Sequence, residues 1–134
     1  YTQFEVAEEI QQARIDRWNQ YHALLKPLAD AGRIELPFIP EHCTNNGHMF
    51  YIKAKNLTER EELFGFLRGK DILSASHYVP LHSAPAGLKY GEFRGEDKYT
   101  TKESERLARL PMYYGLEMEQ VDYIISKVKE FYGK

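Results

Sequence analysis

His77-Tyr78-Val79-Pro80-Leu81-His82 sets two imidazoles and a phenol around a proline, just after the apolar run Ile72-Leu73-Ser74-Ala75. Imidazole and phenol can hydrogen-bond sugar hydroxyls or phosphate oxygens, and tyrosine adds an apolar face for stacking. Metal ligation is a third option, but His77 and His82 are five apart across a proline and do not match a helical H-x-x-x-H zinc pair. Cys43, the lone cysteine, stands beside His42 without a C-x-x-C or H-x-x-x-H partner set, so no metal site is expected there either. On the residues alone, ligand contact and an ordinary polar surface turn both stay open for His77, Tyr78 and His82.

No complete catalytic set accompanies the cluster. GEFRGED has its glycines at the wrong spacing for a phosphate loop and lacks a preceding strand, and no G-x-S-x-G elbow occurs. Cys43 has no evident base. A formal net charge of −2 over 134 residues gives no general pull toward nucleic acid or anionic membrane. No apolar run approaches the roughly 18 residues of a membrane helix, and the lone cysteine fits a reducing cytoplasm.

The elements that must position these groups can be read in turn. Residues 4–31 predict a long helix, with Phe4, Ala7, Ile10, Ala13, Trp18, Tyr21, Leu25 and Leu28 at three- to five-residue steps. Pro27 predicts a kink or a tightened last turn, and Gly32 a stop. The helix is long enough either to pack a core or to connect two domains. Residues 33–36 alternate and are closed by Pro37 and Pro40, which predicts a short edge strand.

HMFYIKAK (48–55) reads as the clearest strand, with His48, Phe50, Ile52 and Ala54 on one face. His48 therefore reads first as a core histidine with a hydrogen-bond partner, and second as a ligand contact. Thr58 and Glu61 are spaced as a capping box for a helix carrying Leu63, Phe64 and Leu67, which Gly69 ends. Residues 71–78 predict another strand. The stretch 80–99, punctuated by proline and glycine but holding Tyr90, Phe93 and Tyr99, predicts a functional loop whose aromatics have something to bury. Thr100 and Glu103 predict a capped helix with Leu107 and Leu110 on its apolar side, stopped by Pro111. Residues 118–132 predict an amphipathic helix with Val121, Ile124, Ile125, Val128 and Tyr132 on one face. The fold class is α+β: a small, mostly antiparallel sheet packed by helices.

HYVPLHSAPAG and KYTTKESERLARLPMYYGLE together resemble the C-terminal region of sugar-nucleotide aminotransferases of the DegT/DnrJ/EryC1/StrS family, and GRIELPFIP and HMFYIKAK resemble that family's preceding segments. GEFRGEDKYTTKESERL is similar to the subgroup that converts TDP-4-keto-6-deoxy-D-glucose to TDP-4-amino-4,6-dideoxy-D-galactose. The resemblance implies the small C-terminal domain of aminotransferase fold type I, with residues 1–32 a connecting helix from a large domain and 33–134 the small domain. The opening Tyr1-Thr2-Gln3-Phe4, which runs without Met straight into helical periodicity, fits that expectation.

It further implies pyridoxal 5′-phosphate (PLP) held mainly by the large domain, with glutamate as amino donor and a TDP-keto sugar as acceptor. A homodimer in a polysaccharide pathway is implied as well. No segment here matches the family's Schiff-base lysine or the acidic partner of the cofactor ring, and Lys102 lies in a different motif. The chain alone is thus expected to be inactive. His77, Tyr78 and His82 are the implied substrate contacts, with His48 a weaker one. Two other readings remain: a non-enzymatic module that binds a ligand or a protein, and a dehydratase-like relative with histidine in place of the lysine.

Overall fold

The computed structural model describes residues 1–133. The elements run in the order α1 (Thr2–Glu5), α2 (Ala7–Asp30), β1 (Phe50–Lys53), α3 (Leu57–Arg68), α4 (Pro85–Tyr90), α5 (Thr100–Arg106), β2 (Leu107–Leu110) and α6 (Met118–Tyr132). None of these helices is long and apolar enough to cross a membrane.

β1 and β2 pair antiparallel, with Phe50 opposite Leu110 and Lys53 opposite Leu107. Single bridges extend this ladder on both sides, Glu35 to Lys53 and Ala75 to Arg109. The strands expected over 33–36 and 71–78 are reduced to those one-residue contacts. Proline closes the first segment and cannot donate to a ladder; the second leaves the sheet after Ala75.

Alternation along the strands decides which face is buried. Phe50, Ile52 and Ala54 are buried, as are Ala108 and Leu110 of β2. Phe50 stacks on Tyr21 at 4.9 Å and meets the edge of Trp18 at 5.5 Å. Burying a side chain of this size contributes about 1.5–3 kcal/mol. Leu25 of α2, Leu63 and Leu67 of α3, and the apolar face of α6 complete this core. All five residues expected on the inner face of α6 are buried there. The buried Tyr21 hydroxyl donates to the Pro111 carbonyl at 3.0 Å, and burial pushes its pKa well above the usual phenol value.

The long helix is broken once, at Val6, and its start does not join the core: Phe4 is 84% exposed. Its later half does, through Trp18, Tyr21 and Leu25. At its end Gly32, with φ +68°, bonds back to Ala29 and Arg33 to Leu28, a tightened Schellman turn where Pro27 predicted one.

Three helix starts or stops differ from expectation. α3 begins two residues before the Thr58 box: Asn56 Oδ1 accepts from the Glu59 amide at 3.0 Å, and Glu59 accepts from the Lys55 amide. Asn is among the best N-caps, so it outcompetes the later Thr. Thr100 does not cap α5 either; Asp97 does, three residues earlier. The Leu107–Leu110 segment, read as the end of that helix, is β2. The loop expected over 80–99 also contains α4.

Candidate functional site

Ala75 is the last residue of its segment bonded to the sheet, its amide and carbonyl both paired with Arg109. Beyond it the chain is held by side chains and turns. Ser104 Oγ donates to the Tyr78 carbonyl at 2.7 Å, and the Pro80 carbonyl accepts from the amides of Ser83 and Ala84. α4 then folds back onto this turn. A Cβ at Gly87 would lie 1.6 Å from the Leu81 carbonyl oxygen, so only glycine permits that approach.

The HYVPLH cluster divides in two. His77 and Tyr78 are exposed, with ring centroids 4.4 Å apart, beside a cavity of about 310 Å³ lined also by Pro80, Thr100 and Ser104. They are free to meet a ligand from solvent. His82 faces inward: its Nε2 lies 2.9 Å from Asp97 Oδ2 and 3.3 Å from Thr101 Oγ1, and Phe93 packs on its ring at 4.6 Å. Asp97 also accepts from the amides of Thr100 and Thr101 and from the Thr101 hydroxyl. The Thr101 hydroxyl, the two amides and the charge of His82 hold the Asp97 carboxyl below the usual carboxylate range. One carboxylate thus caps α5 and pins the far end of the 82–97 loop.

This loop buries less than its composition predicts. Tyr90 and Tyr99 are exposed, and Phe93, half exposed, has His82 as its ring partner. Leu81 and Leu88 are exposed too. The loop is ordered by polar contacts at its ends, while its apolar side chains point away from the core.

His48 does not join this group, and it is not a core histidine. It precedes β1 and is exposed, with Nδ1 2.7 Å from Asn46 Oδ1. The face it heads becomes buried only from Phe50 onward, because the polar 41–47 loop lies against α2 there. Gln11 reaches the Asn46 carbonyl, and Gly47, at φ +58°, sits where a Cβ would be 2.9 Å from the Arg14 backbone. His48 lines a separate cavity with Met49, Leu73 and Arg109.

Asp97 and Thr101 escaped the sequence reading, and Phe93 was read only as one of the loop's aromatics, not as the partner of His82. A signal for the first was present: Asp ahead of a Thr-Thr helix start is a strong N-cap, and Asp97 competes directly with the Thr100 reading. One ion-pair network braces the neighbouring edge. Lys53 pairs with Glu103 at 2.6 Å, and Arg106 binds Glu35, Glu103 and the Ala54 carbonyl. A cavity of about 790 Å³ lies elsewhere, between Ile72, Leu73, Tyr113 and the α6 residues Tyr123 and Ile124. It is mainly apolar and includes none of the histidines.

Comparison with known proteins adds the context that geometry lacks. The sequence model of the DegT/DnrJ/EryC1/StrS aminotransferase family matches residues 1–129. A pleiotropic regulatory protein of Geobacillus stearothermophilus is 28% identical over 123 residues, covering 88% of this chain and 33% of the relative. The dTDP-3-amino-3,4,6-trideoxy-alpha-D-glucose transaminase of Micromonospora megalomicea subsp. nigra is 31% identical over 108 residues, covering 79% and 28%. Among solved structures, a DegT DnrJ EryC1 StrS aminotransferase from Brucella abortus superposes with a TM-score of 0.82 at 25% identity, covering 99% of this chain and 34% of that one. The chain therefore spans about a third of the length of the relatives it matches.

Proposed function

The chain belongs to the DegT/DnrJ/EryC1/StrS aminotransferase family, and from that membership we propose that it works in PLP-dependent amino transfer from glutamate to a TDP-bound keto sugar. The observation that carries the reading is the family match across residues 1–129. In this reading residues 33–134 are the small domain, residues 1–32 lead into it from a large domain outside the chain, and the sugar is a TDP-4-keto-6-deoxyhexose aminated at C4. The whole protein is a cytoplasmic homodimer, and the exposed Tyr78, Val79, Leu81, Leu88 and Tyr90 support an apolar contact with another part of that assembly.

PLP supplies the electron sink for such chemistry when bound. In this reading the lysine that carries it lies in the large domain outside the chain. Lys53 is tied to Glu103 and Glu35, Lys70 lies over the Phe66 ring and near Glu130, and Lys102 is exposed on α5. The work left to this chain is binding and orientation. His77 and Tyr78 can donate to sugar hydroxyls or phosphate oxygens, His82 fixes the loop beside them through Asp97, and His48 offers a second contact from the sheet.

The test uses the protein that carries this chain, saturated with PLP. Glutamate is expected to convert the bound cofactor to its pyridoxamine form, read by absorbance, and the keto sugar to restore it. Because the Micromonospora relative is named for a 3-amino sugar, both 3-keto and 4-keto TDP sugars should be offered. Restoration by the 4-keto sugar alone supports the C4 assignment, and restoration by the 3-keto sugar alone moves it to C3. A protein that takes up no PLP would sink the transaminase. It would leave a binding module.

A further inference from the structure

Arg109 is one of two cations on the outer face of the paired strands, with Lys53. Its neighbours Ala108 and Leu110 point into the core, so its side chain leaves the opposite face, level with Tyr51 on one side and Ala75 on the other. Lys53 on the same face is neutralised by Glu103 and Glu35. Arg109 is not: its Nε is buried without a hydrogen-bond partner, and among the described residues no carboxylate pairs with it. A buried donor left unmet is unfavourable, and a guanidinium keeps its charge at any ordinary pH.

The space beside it is a cavity of about 230 Å³ lined by His48, Met49, Leu73, Ala75, Arg109 and Met112, with no acidic residue in its wall. Asn46 Oδ1 accepts from the His48 amide and also lies 2.7 Å from Nδ1, which holds the ring beside the cavity. The cavity thus joins a permanent cation with an unmet donor to an exposed imidazole.

We propose that Arg109 and His48 form a binding site for a small oxyanion, a phosphate or a carboxylate group, on the outer face of the sheet. The planar guanidinium fork suits both. The inference does not depend on amino transfer, because the same unmet donor would seek an anion in a binding module.

The test titrates the ¹⁵N-labelled protein carrying this chain with inorganic pyrophosphate, with glutarate, and with chloride at matched ionic strength, following the Arg109 Nε–H and His48 resonances. A saturable shift with an oxyanion and not with chloride is the expected result. Pyrophosphate alone assigns a phosphate group, glutarate alone a carboxylate, and both a general oxyanion site. Arg109→Met should weaken binding by about tenfold or more, the scale of one lost charged hydrogen bond. His48→Ala should weaken it a few-fold, since it removes the imidazole from the cavity wall. The site is overturned if neither oxyanion saturates the shift or if Arg109→Met leaves it unchanged. Should Arg109→Met fail to fold, His48→Ala decides, since His48 lies outside the strand pairing. Unchanged affinity then overturns the proposal.

Discussion

The core under β1 and the segment 77–99 use similar residues in opposite ways. Phe50, Tyr21 and Trp18 interlock with no exposed aromatic surface to speak of, and α6 closes over them with its whole apolar face. Tyr78, Tyr90 and Tyr99, in a stretch with comparable aromatic content, are all exposed, while the order of that stretch comes from His82, Asp97 and Thr101. Apolar side chains therefore stabilise one region of this chain and decorate the other. An aromatic residue is not evidence of burial until a partner surface is identified.

The largest expected effect tests the first half of that contrast. Phe50→Ala removes a ring packed against two others and should cost about 3–5 kcal/mol of folding stability, read by denaturant unfolding. Tyr90→Ala, by contrast, should stay within about 0.5 kcal/mol of the parent when the chain is measured alone, without the assembly contact proposed for that face. A large loss at Tyr90 would break the comparison, since it would mean the loop is packed after all.

Gly87→Ala comes next. Its methyl group meets the Leu81 carbonyl, so α4 must detach from the 80–82 turn. Faster hydrogen exchange confined to residues 81–91, with the amides of α6 unaffected, is the expected signature.

The smallest effect concerns the clamp. Asp97 has a lowered pKa in the folded chain, so its contribution is present above the ordinary carboxylate pKa and is lost as pH falls through the lowered folded value. Exchange of the Thr100 and Thr101 amides should quicken, beyond its intrinsic pH dependence, across that acidic window. Asp97→Asn should remove this dependence, leaving α6 unchanged. A response spread across the whole molecule would show that the loop and the core unfold together.

The same contrast separates what the chain reveals unaided from what it does not. α6 was legible to its last buried residue, because a helix of 15 residues with one apolar face states its own period and direction. The break at Gly32 was legible too, since a left-handed turn needs a residue without a Cβ. The family resemblance could be seen in HYVPLH and the run around Lys102 before any geometry.

Pairing at a distance was not legible. Leu107–Leu110 carries the leucines of a helix end, and becomes a strand only because Phe50–Lys53, more than fifty residues earlier, offers it a ladder and a buried face. The split of the histidines has the same origin. Nothing local distinguishes His77 from His82, but Asp97 lies within reach of only one of them, and His48 is drawn out of the core by a loop anchored on α2. Local periodicity fixes a helix because its hydrogen bonds close within four residues. Strand partners, ion pairs and cavities depend on which distant segments the hydrophobic core brings together, and those only the folded chain decides.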